Sequence, residues 1–263
     1  MRILLTNDDG FDAPGIAAMR EALAPKHEVI VVAPSRERSG ASHALTMLEP
    51  IRVVSRGPGC WAVSGTPVDC VYLGLHRLCD EPPDLVVSGI NRGANLGDDV
   101  FYSGTVGAAR EAALNDLPAL AVSLDTQNWP AATGGVHFET AANIAMSVID
   151  AMIDQPLKAG VFVNLNVPNR PSADVPSVEV CPLGRRHYSP LVEEHFDPRG
   201  HPYYWIGGEP ISGRMDEGSD GWWLHKGHAA LSPLDLNSTS ASNLSHLTKW
   251  SIRNSNGITN ERS

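Results

Sequence analysis

Cysteine is scarce in this chain: Cys60, Cys70, Cys79 and Cys181 are its only four in 263 residues. They form no CxxC pair and have no histidine at zinc-finger spacing, which excludes a disulfide scaffold or a structural zinc site as the organising device. Positive charge is short as well, with 20 Lys and Arg against 30 Asp and Glu, a formal net charge of −10. A nucleic-acid backbone binder needs clustered cations, so no nucleic-acid polymer is expected as a partner. A small phosphate ester is not excluded, because one bound divalent cation inverts the sign of a local site. No window approaches the eighteen or so uninterrupted apolar residues of a membrane-spanning helix. Met1 leads straight into an apolar run, with no basic n-region, so no secretory signal is read and reduced thiols in a cytoplasm are expected.

Named catalytic motifs are missing too. There is no GxxxxGK(S/T) loop, no GxGxxG after the first strand and no HExxH. The nearest approach to a GxSxG nucleophile elbow is GASHA around Ser42, so Ser42 and His43 read as a loop with local hydrogen bonding. A phosphatase pattern DxD fails because Gly10 stands where the second Asp belongs. No internal repeat or low-complexity tract occurs.

What is present is a regular alternation. The apolar runs RILLT at 2–6, VIVVA at 29–33, DLVVS at 84–88, ALAVS at 119–123 and VFVNLNV at 161–167 read as strands buried on both faces. Helical patterns lie between them: from Pro14 to about Ala24, from Thr66-Pro67 to about Leu78, over Thr105–Asn115 and around Phe138–Ile153. Short strands alternating with helices predict an α/β fold with a parallel, doubly wound sheet. The alternation stops near Pro168. From Pro171 to about Gly227 the chain reads as irregular strands and an extended hairpin without helical period, with Tyr203, Tyr204, Trp205, Trp222 and Trp223 packing along it. Leu231–Leu236 returns as a strand, Ala241–Trp250 is a short amphipathic helix candidate, and 251–263 is a polar tail. The expected division is therefore 1–170 as the α/β core, 171–250 as arm and C-terminal elements, and 251–263 as tail.

Ligands of an open α/β sheet bind beyond the carboxyl ends of its strands. Three loops bring oxygen-bearing side chains to that edge. TNDDG follows the first strand with Asp8 and Asp9, PSRERSGAS follows the second with Ser39, and SGINRGANLGDD follows the third with Asn91 and Asn95. Adjacent carboxylates repel, and a hard cation resolves the conflict while also accepting Asn and Ser oxygens. The absence of Cys and His from these loops favours one Mg²⁺ or Mn²⁺ over zinc. A lone Asp pair is more often a helix cap with a solvated neighbour; its company at this edge argues for the metal. Ser103-Gly104-Thr105 precedes an Ala-rich helix, where free N–H groups and two hydroxyls form an oxyanion site, or where Ser103 or Thr105 simply caps the helix. Capping and anion binding coexist, since several N–H groups are unsatisfied there. Asn95 reads as support for metal or phosphate, or as a turn-forming Asn.

These motifs resemble the stationary-phase survival protein SurE family. The resemblance is carried by ILLTNDDG at 3–10, VVAPSRERSGAS at 31–42, SGTPVDCVYLG at 64–74 and VVSGINRGANLGDDVFYSGTVGAA at 86–109. PALAVSL at 118–124, LNVP at 165–168 and DPRG with YYWIG between 197 and 207 complete it, so that it covers roughly residues 1–235. The stretch beyond Asn237 departs from the family pattern. The resemblance implies a Rossmann-like sheet with a protruding β-hairpin arm and C-terminal elements that build homodimers or homotetramers. It implies a metal-dependent nucleotidase acting on nucleoside 5′- and 3′-monophosphates, in some members also on short polyphosphate. The family's metal ligands fall here on Asp8, Asp9, Ser39 and Asn91. On this reading Asp8 or Asp9 orients the attacking water, while Ser103, Gly104 and Thr105 hold phosphate oxygens. The rival expectation is a nucleotide- or phosphate-binding sensor that does not turn its ligand over.

Overall fold

The first strand, β1 (Arg2–Thr6), has no polar side chain before Thr6 other than Arg2, and every residue from Ile3 onward is buried. A strand of that kind needs covering on both faces, and the fold supplies it. In the computed structural model, which describes residues 1–127, 135–186, 188–208 and 216–250, β1 is an interior strand, fourth in order, of a nine-stranded sheet. Its neighbours are β2 (Glu28–Pro34) and β5 (Leu85–Arg92), both parallel to it, with Leu5 paired to Val31 on one side and Val87 on the other. Next to β5 come β6 (Ala119–Asp125) and β7 (Val161–Pro168), again parallel.

The helices cover the two faces in turn. Helix α1 (Pro14–Leu23) opens with Pro at its first turn and buries Ile16, Met19 and Leu23 on one face of the sheet, beside α4 (Phe138–Asp154). Ile3 and Leu5 of β1 point into that layer, and Leu4 into the other, as the period of two requires. The opposite layer holds α2 (Pro67–Leu73) and α3 (Gly104–Leu114). Helix α2 starts from a capping box, in which the Thr66 hydroxyl accepts from Asp69 N–H and Asp69 accepts from Thr66 N–H. It then widens into a π-helical turn, Gly74–Leu78, where a side chain at Gly74 would meet Leu4 at 2.7 Å. The helical pattern read to Leu78 is thus two kinds of helix.

Two features depart from the sequence expectation. At the far edge, β3 (Val53–Gly57) and β4 (Cys60–Val63) form an antiparallel pair, with β4 parallel to β2. All five residues of β3 are exposed, so no alternation marked it as a strand. In the segment read as lacking helix, α5 (Asp220–His225) packs beside the sheet. Six residues are too few to display a period of 3.6. Trp222 and Trp223 therefore do not lie along a hairpin: they stand on α5, half-buried, edge to face at 4.6 Å.

Beyond residue 170 the chain divides in two. β11 (Ala229–Asp235) pairs antiparallel with β7, and β8 (Val178–Val180) lies parallel to β11, so both extend the main sheet. β9 (Leu191–Phe196) and β10 (Pro202–Gly207) form a separate antiparallel ribbon, exposed at every position. Helix α6 (Ala241–Leu247) has no buried residue. Among the described residues no helix is long and apolar enough to cross a membrane. The tail expected at 251–263 lies outside the described residues.

Candidate active site

The turn after β1 is closed by its own sequence. Asn7 Nδ2 donates to the Gly10 carbonyl at 2.9 Å, and Gly10 N–H donates back to Asn7 Oδ1 at 3.3 Å. Gly10 sits at φ +107°, and a Cβ there would stand 3.2 Å from the Arg36 carbonyl carbon of the second loop. Only glycine lets the two loops approach this closely. The second loop is tied on by Arg38 N–H, which donates to the Asp8 carbonyl at 2.7 Å, and by Ser42 N–H, which donates to the Tyr102 carbonyl at 3.0 Å. His43, beside it, pairs with Glu111 of α3 at 2.8 Å. His43 thus fastens the Ser39 loop to α3, and Ser42 fastens it to the turn before α3, which is more than the local loop role read from GASHA.

Asp8 is buried, 5% exposed, and Oδ1 accepts a short hydrogen bond from the Thr105 hydroxyl. Gly104 presses on the same carboxylate: a Cβ there would lie 3.0 Å from Asp8 Cβ and 3.2 Å from Oδ2. The N-terminus of α3 is therefore stacked directly against the end of β1. Burial pushes the Asp8 carboxyl up to about 6, opposed by the Thr105 hydrogen bond and assisted by Asp9. Asp9 Oδ2 accepts from Arg92 N–H at 2.9 Å. Burial raises the Asp9 carboxyl as well, against the pull of that N–H group, and the nearby Glu37 carboxylate adds to the rise.

Asn91 stands one residue before Arg92, at the end of β5, and its Nδ2 donates to the Gly93 carbonyl at 2.7 Å. That bond commits the amide nitrogen and leaves Oδ1 as the side chain's acceptor. Ser39 donates its hydroxyl to Glu37 Oε1 at 2.7 Å. Asp9 and Ser39 line a common cavity of about 530 Å³, together with Glu37, Arg92, Phe11 and Phe138. Glu37, Arg92 and the two phenylalanines were not singled out from the sequence. Glu37 lies within the quoted PSRERSGAS loop, but charge on an exposed loop carries no sign of which way it turns.

Ser103 is the N-cap of α3, its hydroxyl accepting from Val106 N–H at 3.1 Å. Asn95 is pinned elsewhere: Nδ2 donates to Ser123 Oγ at 2.8 Å, N–H to Asn166 Oδ1 at 2.8 Å, and its carbonyl accepts from Asn164 and Asn166. It is thus held by β6 and β7 rather than by a turn of its own backbone. Asp8, Gly104 and Thr105 are in direct contact, Asp9 and Ser39 share a cavity wall, and Asn91 adjoins the residue that binds Asp9. Among the described residues no three His, Cys, Asp or Glu side chains form a metal cluster. The candidate donors are instead two adjacent carboxylates, a hydroxyl and an amide oxygen. Both carboxyls are held above their ordinary range, the condition a hard divalent cation relieves, so the donor set fits such an ion.

Comparison with known proteins agrees with this architecture. Residues 3–190 match the family described as Survival protein SurE. The chain is 45% identical to the 5′-nucleotidase SurE of Geotalea daltonii over 96% of its length and all of that protein's. It is 46% identical to that of Geobacter sulfurreducens, covering 96% of this chain and 94% of the other. The crystal structure of the SurE protein from Aquifex aeolicus superposes with a TM-score of 0.80 at 35% identity, over 95% of this chain and 100% of that one. By its motifs, its sheet order and these likenesses, the chain belongs to the SurE family.

Proposed function

We propose that this protein is a divalent-metal-dependent phosphomonoesterase that hydrolyses nucleoside 5′- and 3′-monophosphates to nucleoside and phosphate. The observation that carries the reading is the stacking of the α3 N-terminus on Asp8, which sets anion-binding N–H groups against a pair of raised carboxylates. Relatives named 5′-nucleotidase at 45% and 46% identity over nearly the whole chain support it. One Mg²⁺ or Mn²⁺ per subunit, held by Asp8, Asp9, Ser39 and Asn91, would polarise a phosphoryl oxygen and lower the pKa of a bound water.

The protein's own groups then have distinct tasks. Asp8 or Asp9 accepts a hydrogen bond from the attacking water and orients it. The N–H groups of Gly104 and Thr105 and the Ser103 hydroxyl hold phosphate oxygens as charge redistributes, and Asn95, anchored by Ser123 and Asn166, supports the site from the loop before them. The Thr105 hydroxyl, by donating to Asp8, fixes the carboxylate that faces the phosphate. Residues 1–170 form the catalytic core. Within 171–250, β8 and β11 complete its sheet, while the ribbon and α6 serve assembly into a homodimer or homotetramer. The setting is cytoplasmic, and short polyphosphate is a further substrate class to assay.

Phosphate release from nucleoside 5′- and 3′-monophosphates tests the reading. EDTA treatment should abolish release, and added Mg²⁺ or Mn²⁺ should restore it. Full activity in verified metal-free protein would falsify the metal dependence, and nucleotide binding without phosphate release at any metal concentration would make the protein a sensor.

A further inference from the structure

The cradle at Ser103–Thr105 is preceded by a 3₁₀ turn, Gly97–Phe101, whose carbonyls aim it. The Asp99 carbonyl accepts from both Tyr102 N–H, at 2.9 Å, and Ser103 N–H, at 3.0 Å. Where Asp99 sits therefore fixes where the cap residue sits. The Asp99 side chain is in turn gripped from a distant part of the chain. Arg186 Nη1 donates to Oδ2 at 2.6 Å and the Tyr188 hydroxyl donates to Oδ1 at 2.7 Å. Arg186 and Asp99 are only 14% and 15% exposed, and the guanidinium lies 5.5 Å from the Tyr188 ring centroid. The start of the same turn is clamped separately, Gly97 N–H and Gly184 N–H each donating to Asp220 at 2.8 Å. The stem that leads into the β9–β10 ribbon thus holds the turn that leads into the cradle.

We propose that Asp99, Arg186 and Tyr188 are positioning residues for phosphate binding, setting the orientation of the α3 N-terminus through the Asp99 carbonyl. The proposal rests on the reading of that N-terminus as the phosphate cradle. None of the three touches the substrate in this scheme. Their effect falls on phosphate affinity first, and Asp9 and Ser39, which stand on the loops after β1 and β2, are not gripped by them.

The test uses the full chain and four variants: Tyr188→Phe, which removes one hydroxyl, Asp99→Asn, Arg186→Ala and Arg186→Lys. The readouts are KM for a nucleoside monophosphate, the competitive inhibition constant of inorganic phosphate, kcat, and Mn²⁺ affinity measured by direct titration. Loss of one buried hydrogen bond to a charged group should raise KM and the phosphate inhibition constant together by ~3–10-fold, with kcat within about twofold. Mn²⁺ affinity should change less than the phosphate inhibition constant, and Arg186→Lys should recover part of what Arg186→Ala loses. Folded variants with lower thermal stability or kcat, but wild-type KM and phosphate inhibition, would make the network merely structural and overturn the proposal. If inorganic phosphate does not inhibit the wild type and Thr105→Ala leaves its kinetics unchanged, the cradle reading itself fails, and the positioning role falls with it.

Discussion

Thr105 concentrates two tasks in one side chain. It is fully buried, its hydroxyl donates to Asp8, and its N–H, in the first turn of α3, donates to the same carboxylate. Hydrogen bonds to charged groups are worth ~1.5–3 kcal/mol, so Thr105→Ala should weaken substrate and phosphate binding by about tenfold or more. Thr105→Val is the harsher change, because it keeps the volume but sets a methyl group against Asp8 Oδ1 and leaves that oxygen unpaired in a buried place. Kinetics with nucleoside monophosphate and inhibition by inorganic phosphate, measured on both variants, check the order wild type, Ala, Val. Equal values in all three would reduce Thr105 to a core residue of α3. At this scale the local patterns of the candidate site are legible in the sequence. An Asp-Asp pair at a strand end and a Ser-Gly-Thr before an Ala-rich helix are local patterns, and Gly104 contacts Asp8 because sheet topology brings those two patterns together. The ring of Arg186 and Tyr188 on Asp99 was not legible, since its members are 87 and 89 residues apart and neither stretch has a period that announces the meeting.

Elements followed the same rule. Strands buried on both faces declared themselves as unbroken apolar runs, and β1 and β7 start or end within a residue of where those runs do. β3 did not, because an edge strand exposed at all five positions satisfies its backbone on one side only and owes nothing to hydrophobic pattern. Helix α5 is held by a cap and a buried carboxylate rather than by an apolar stripe. Ser219 caps it, and Asp220 Oδ1 accepts from Gly184 and Gly221 N–H while Oδ2 accepts from Gly97 N–H. Burial raises the Asp220 carboxyl above its ordinary value despite those three donors. A raised value means the folded state holds the proton more readily than the unfolded one. Asp220 therefore takes stability away as pH rises from the ordinary carboxylate range near 4 through its folded value. Asp220→Asn replaces an acceptor by a donor, so it should be less stable than wild type throughout. The deficit should be largest at low pH and should shrink as pH rises through that window. Thermal unfolding of both proteins from pH 4 to pH 8 reads this directly, and a deficit that widens with pH would contradict the assignment.

For the whole molecule, the open question is what covers the β9–β10 ribbon. Every residue of both strands is exposed, including Val192, Phe196, Tyr204 and Trp205, the last at 65% and Ile206 at 89%. A two-stranded ribbon is marginal by itself, and beyond its backbone ladder this one is braced by pairs such as Tyr204 hydroxyl to Glu194 at 2.7 Å and the stacked rings of His195 and Tyr203. Large aromatic side chains on such a ribbon gain from a partner surface, and Tyr and Trp are the residues that anchor interfaces. A lid over the substrate and an arm on another subunit both offer one. The arm is the better account, because the ribbon carries apolar groups on both faces along its whole length, more than a nucleotide needs. Replacing Tyr204 and Trp205 together by Ser should shift a dimer or tetramer toward smaller species in analytical ultracentrifugation. Mn²⁺ binding at the strand ends should survive, since Asp8, Asp9, Ser39 and Asn91 stand on loops of the main sheet, to which the ribbon is not hydrogen-bonded. If the variant keeps the wild-type mass and loses substrate affinity instead, the ribbon closes over the active site and the arm assignment is wrong.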